Sequence, residues 1–119
     1  MTDPKATTDH NAALVRQALG LWGVTGARAE LVAARENHVY RVSAPDRTLA
    51  LRLHRPDYRS AAELDAELHW MAALAQGGLA VPAPVPMPDG RLWLTLGCRP
   101  VDMLSWIAGQ PMGRDGRLS

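Results

Sequence analysis

Residues 48–78 constrain the fold of this chain most, because they join a cleanly alternating strand to a helix punctuated at both ends. Along Thr48 to His54, Leu49, Leu51 and Leu53 point one way and Ala50, Arg52 and His54 the other. That is the period-two pattern of a strand whose two faces meet different surroundings. After a connector at Pro56 to Arg59 comes Ser60-Ala61-Ala62-Glu63, a capping box. In it the serine oxygen accepts from the backbone N–H three residues on, and the glutamate reaches back to the N–H of the cap. The helix that follows carries Leu64, Leu68, Met71 and Ala75 at helical spacing and is predicted to stop after Gln76, at Gly77-Gly78. Paired glycines there are a strong C-terminal signal.

The flanking segments supply the rest of a small domain. Residues 1–9 are polar and predict a disordered tail. Thr8 or Asp9 would cap a first helix over residues 10–22, with Ala13, Leu14, Ala18, Leu21 and Trp22 as its apolar stripe and Gly20 and Gly23 at its end. Arg28 to Ala34 reads as a strand centred on Leu31 and Val32, and His38 to Ser43 as a second, rich in β-branched and aromatic residues. Ala44-Pro45-Asp46-Arg47 is a turn by its proline and aspartate. Residues 81–88 have prolines at Pro82, Pro84, Pro86 and Pro88, which predict an extended linker lying on the surface. Beyond the Pro88-Asp89-Gly90 turn, Arg91 to Leu96 and Val101 to Ile107 are two further strands, joined by Gly97-Cys98-Arg99-Pro100. Residues 113–119 are polar and glycine-rich and predict a flexible tail. The order helix, three strands, helix, two strands gives an α+β domain. Short connections favour a five-stranded antiparallel sheet with one packed helix and a leading N-terminal helix.

Composition narrows the partners. The 119 residues suit one domain, and 47% hydrophobic with 21% charged residues is ordinary for a globular one. A formal charge of +1 with scattered arginines gives no footprint for nucleic acid or an anionic membrane. No apolar run approaches the roughly 20 residues of a membrane span, and Met1 to Asn11 lacks the apolar core of a signal peptide. One cysteine, Cys98, cannot form an internal disulfide and suits a reducing cytoplasm.

Arg52 and Glu67 are the candidate pair for chemistry. Arg52 shares its strand face with the small Ala50, and Glu67 sits at the edge of the helical stripe beside Leu64 and Met71. A carboxylate at the edge of a buried face calls for a cationic partner, because an unpaired buried charge is costly. A Leu-Arg-Leu strand also alternates by default, and a helix glutamate usually faces water, so the pair by itself leaves a surface reading open. Other groups point to no chemistry. His10, His38, His54 and His69 lack the spacing of a metal cluster, and His69 reads as solvent-facing. Ser60 is a cap before it is a nucleophile, Cys98 has no histidine placed beside it, and Asp102 and Asp115 read as solvated acids.

The order of segments resembles the N-terminal lobe of the aminoglycoside phosphotransferase superfamily. Glu36-Asn37-His38-Val39-Tyr40-Arg41-Val42 is similar to its first hairpin, and Ala50-Leu51-Arg52-Leu53-His54-Arg55-Pro56 to its third strand. Glu63 to Leu74, with Glu67 and Trp70, resembles its regulatory-type helix. Val81-Pro82-Ala83-Pro84-Val85-Pro86 with Asp89-Gly90 resembles the crossing that follows. Leu104-Ser105-Trp106-Ile107-Ala108-Gly109-Gln110-Pro111 looks like the hinge that binds adenine through its backbone. The homoserine-kinase-like and stress-response-kinase-like branches are nearest in character.

The resemblance implies a kinase-like ATP-binding lobe over residues 10–112, with ATP and magnesium as cofactors. Arg52 would stand where protein kinases carry lysine, with Glu67 as its ion-pair partner. Asn37 and His38 would lie over the phosphates, and Ala50, Ser105 and Ile107 would line the adenine site with Trp106 nearby. Two departures stand out. Arginine makes wider, planar two-point contacts than lysine. The sequence also holds no His-x-Asp-x-x-x-x-Asn, the family pattern that supplies the catalytic aspartate and a metal ligand from a C-terminal lobe. The expectation is therefore a lobe with no catalytic residue of its own, whose underside would meet a C-terminal lobe or another copy of the chain. A non-catalytic nucleotide-binding or protein-interaction module is the alternative.

Overall fold

Strand β3, Thr48–His54, lies at the centre of a five-stranded antiparallel sheet of order β1-β2-β3-β5-β4. The other strands are β1 (Arg28–Ala34), β2 (Asn37–Ser43), β4 (Trp93–Leu96) and β5 (Arg99–Ser105), and the helices are α1 (Pro4–Leu21) and α2 (Ala61–Gln76). This computed structural model describes residues 4–34, 37–56 and 60–107. Glu36 of the expected first hairpin, Ala108 to Pro111 of the expected hinge, and the tail at 113–119 lie outside the described residues.

The alternation of β3 divides two cores. Leu49, Leu51 and Leu53 join Tyr40 and Val42 of β2, Val101 and Met103 of β5, and Leu14, Val15, Ala18 and Trp22 of the α1 region. On the opposite face Ala50, Val39 and Leu104 meet Leu64, Leu68 and Met71 of α2. Each helix thus covers one face of the sheet, and burial of this apolar surface drives the assembly.

Helix α2 begins and ends as the sequence dictates. Glu63 N–H donates to Ser60 Oγ at 3.1 Å, and Ser60 N–H donates to Glu63 Oε1 at 2.9 Å. At its far end Gly77 N–H donates to the Ala73 carbonyl at 3.0 Å, and Gly78 takes the left-handed φ of 95° that glycine supplies without strain. The β4–β5 hairpin turns on Gly97 and Cys98, both at positive φ (55° and 71°). This is the geometry of a two-residue turn whose twist matches that of its strands.

Four expectations are corrected. Helix α1 starts at Pro4 rather than near residue 10, so residues 4–9 are helical and not a disordered tail. Proline is well suited to a first helical position, where its missing N–H has no intrahelical partner to lose. The buried stripe of α1 contains Asn11 and Val15 and leaves Ala13 and Leu21 outside. Leu31 and Val32, expected at the core of β1, are 49% and 41% exposed, since β1 is an edge strand with an irregularity between Leu31 and Ala33. The proline segment is not merely laid on the surface. Val85 N–H donates to the Met103 carbonyl and Ser105 N–H to the Ala83 carbonyl, both at 2.8 Å, so the segment extends the β4 edge along the far half of β5. Alternation explains this: Ala83 and Val85 turn their backbone groups to β5, while the intervening prolines have no N–H to lose.

Candidate functional site

Arg52 is the hub of the polar groups on the α2 face. It lies directly opposite Asp102 in the β3–β5 register. Its Nε donates to Asp102 Oδ1 at 2.8 Å and its Nη2 to Oδ2 at 2.9 Å. Nη1 donates to Glu67 Oε2 at 3.4 Å. The Arg52–Glu67 contact that the resemblance implies, and that spacing alone leaves open, therefore exists, but it is the longer and more open of two. The Glu67 side chain is 28% exposed, whereas that of Asp102 is fully buried. Burial alone would lower the Arg52 pKa, but the charges and hydrogen bonds of Asp102 and Glu67 raise it above its ordinary value. For Asp102, burial pushes the carboxyl up, and the Arg52 charge with the His54 and Arg52 hydrogen bonds outweighs it, leaving the pKa below the usual value.

The network continues to His54. Its Nε2 lies 2.7 Å from Asp102 Oδ2, and its Nδ1 lies 3.4 Å from Asn37 Nδ2. A carboxylate can only accept, so Nε2–H donates to Asp102. A line of polar groups therefore runs Glu67, Arg52, Asp102, His54, Asn37 across three strands and a helix.

The reading of Asp102 as a solvated acid is corrected by this arrangement. Alternation puts Asp102 and Leu104 on one face of β5 and Val101 and Met103 on the other, but only the pairing of β5 with β3 reveals that Arg52 is its neighbour. Alternation likewise puts His54 on this face but does not reveal that Asp102 is its partner.

The apolar part of the face adjoins Arg52. Ala50 is fully buried with Val39 and Leu104, and Ala33, Leu92, Trp93 and Trp106 pack against that cluster. The guanidinium of Arg41 stands 5.9 Å from the centre of a Trp106 ring, within cation–π range. Ile107 follows as a partly exposed residue.

Two expected site residues turn the other way. His38 pairs with Leu53 and Ser105 with Leu49, which places both side chains on the α1 face. Ser105 Oγ accepts from Ala83 N–H at 2.9 Å. His38 Nδ1 receives Arg99 Nη2 at 3.0 Å, and burial followed by the Arg99 charge lowers its pKa. Arg99 also donates to the His54 and Leu53 carbonyls and to Asn11 Oδ1, at 2.7, 3.0 and 2.9 Å. Asn11 is buried in α1 to meet it, which explains the rotated stripe of that helix. The structure thus brings together Asn37, Ala50, Arg52, Glu67 and Trp106 on one side of the sheet, and sets His38 and Ser105 on the other.

Among the described residues, no group of three or more His, Cys, Asp and Glu side chains is placed to hold a metal ion. No helix among them is long and apolar enough to cross a membrane.

Residues 28–119 match the model of the APH phosphotransferase enzyme family. The chain belongs to that family. The APH chain is 33% identical to a microcompartment-associated aminopropanol kinase of solved structure, with a TM-score of 0.73 over 82% of this chain and 32% of that one. A second solved structure, the spectinomycin phosphotransferase APH(9)-Ia in complex with ADP and spectinomycin, shares the fold at 14% identity. Its TM-score is 0.57 over 82% of this chain and 29% of that one. An uncharacterized protein of Deinococcus radiodurans is 30% identical over 95 residues, which is 76% of this chain and 28% of that protein. The APH chain therefore spans about a third or less of the length of these proteins. Its sheet and helices match the kinase-like N-terminal lobe of the two solved structures.

Proposed function

We propose that this APH lobe binds ATP on its α2 face and serves a kinase that moves the γ-phosphoryl group of ATP to a hydroxyl of a small molecule or protein. The observation that carries the reading is the position of Arg52. It is a buried, permanently charged donor held by carboxylates, next to a small residue and an apolar cluster bordered by Trp106. Adenine needs an apolar slot; Ala50, Val39 and Leu104 are themselves buried beneath α2, and the partly exposed Leu92, Trp93 and Trp106 at the border of that cluster are the apolar groups open to it beside the cation. Phosphates need directed cationic donors, which a guanidinium supplies in a planar fork. Asn37 lies on the same face, at the start of β2 opposite His54, and offers an amide toward the phosphates under this reading.

Phosphoryl transfer is mostly positioning and charge stabilisation around magnesium and a base. The described residues offer no group of His, Cys, Asp and Glu side chains placed to hold magnesium. Under this reading the base and the magnesium ligands come from a C-terminal lobe that meets the underside of this one. A cytoplasmic address goes with ATP as the donor.

The test is a titration of the chain with magnesium-ATP beside Arg52→Ala. Binding that weakens by about tenfold or more in the variant is the expected result for loss of a charged phosphate contact. Equal affinities would remove Arg52 from the site.

A further inference from the structure

We infer that Asp102, rather than Glu67, is the positioning residue for Arg52, and that it presents the outer end of the guanidinium to phosphate. This rests on the ATP-site reading above and adds to it a residue on β5.

Geometry separates the two carboxylates. Asp102 makes a two-point contact at 2.8 and 2.9 Å, whereas Glu67 makes one at 3.4 Å. Asp102 is cross-strand neighbour to Arg52, so the backbone ladder between β3 and β5 sets their separation. Glu67 rides on α2, whose seat on the sheet depends on side-chain packing by Leu64, Leu68 and Met71. A fully buried carboxylate cannot leave its partner without stranding a charge, while Glu67 retains access to water. His54 adds a second clamp by holding Asp102 Oδ2 at 2.7 Å.

The donor inventory gives the consequence. A guanidinium has five N–H groups, one on Nε and two on each Nη. Asp102 takes the Nε hydrogen and one on Nη2, and Glu67 takes one on Nη1. One hydrogen remains on each Nη, and each can donate to a phosphate oxygen. The Arg52 side chain is 11% exposed, so it is not wholly closed to solvent. Asp102 and Glu67 together hold the guanidinium, so its remaining N–H groups are directed, charged donors. Movement of α2 would then cost Arg52 its weaker contact and leave its orientation intact.

The experiment is a magnesium-ATP titration of the full chain, Glu67→Gln and Asp102→Asn, with the Arg52 Nε–H resonance followed in arginine-labelled protein. Glu67→Gln should bind within about threefold of the original chain, as for a partly exposed pair. Asp102→Asn should weaken binding by about tenfold or more, as for a broken buried pair. The Nε–H resonance should stay in place in the first variant and move in the second. If Asp102→Asn does not fold, Glu67→Ala decides: near-original affinity with an unmoved resonance supports the inference, and a tenfold loss overturns it. A loss in Glu67→Gln equal to or above that in Asp102→Asn overturns the role of Asp102 while the ATP site stands. An original chain that does not bind magnesium-ATP overturns the ATP site itself, and the positioning role with it.

Discussion

Arg52 and Asp102 face each other across β3 and β5 and close a two-point ion pair at 2.8 and 2.9 Å with the carboxylate out of reach of water. Removing one member strands the other as a buried charge. Asp102→Ala should therefore cost about 3–5 kcal/mol of folding stability. Glu67→Gln, which disturbs a longer and partly exposed contact, should cost no more than about 1 kcal/mol. Urea denaturation of the two variants checks the contrast, and similar midpoints would argue against the ranking.

Stability should fall with acid in two stages. The His38 pKa is lowered in the folded state, so the unfolded chain takes up a proton first as pH drops below the ordinary histidine value of 6.5. Its contribution is full above that pH and is lost as pH falls toward the folded value. Asp102 is likewise lowered, from an ordinary 3.8, so its contribution is full above that value and is lost as pH falls through the lower folded one. Thermal midpoints measured from pH 7 to pH 3 should decline throughout, and His38→Gln should flatten the upper stage only.

Ser60 closes a capping box with Glu63 at the start of α2. Ser60→Ala leaves the N–H of Glu63 without its acceptor and should cost about 1 kcal/mol. The cost should appear as a lower thermal midpoint with helix content retained by circular dichroism.

Arg99 ties α1 to the sheet through Asn11 and holds the end of β3 through two carbonyls. Arg99→Ala should cost about 2 kcal/mol, the scale of hydrogen bonds to a charged group. It should also speed amide hydrogen exchange in α1 more than in α2, because only α1 loses an anchor.

Local signals predicted the elements whose causes are local. The capping box and paired glycines fixed α2, and the alternation of Leu49, Leu51 and Leu53 fixed the faces of β3. Pairings between distant strands were not legible. Asp102 and Arg52 are fifty positions apart and meet only through the β3–β5 register, so an acid read as solvated is the most buried polar group of the site. The resemblance implies site roles for His38 and Ser105, yet a one-residue step along a strand reverses the face, and both lie on the α1 side. The start of α1 is not legible either, because Pro4 lies in a polar stretch whose composition reads as a tail although proline is suited to a first helical position.

The most direct measurement is the amide spectrum of the chain with and without magnesium-ATP. The ATP-site account predicts shifts at Asn37, Ala50, Arg52, Glu67, Trp106 and Ile107, with His38 and Arg99 little changed on the opposite face. No shift at saturating nucleotide, or shifts confined to the α1 face, would contradict it.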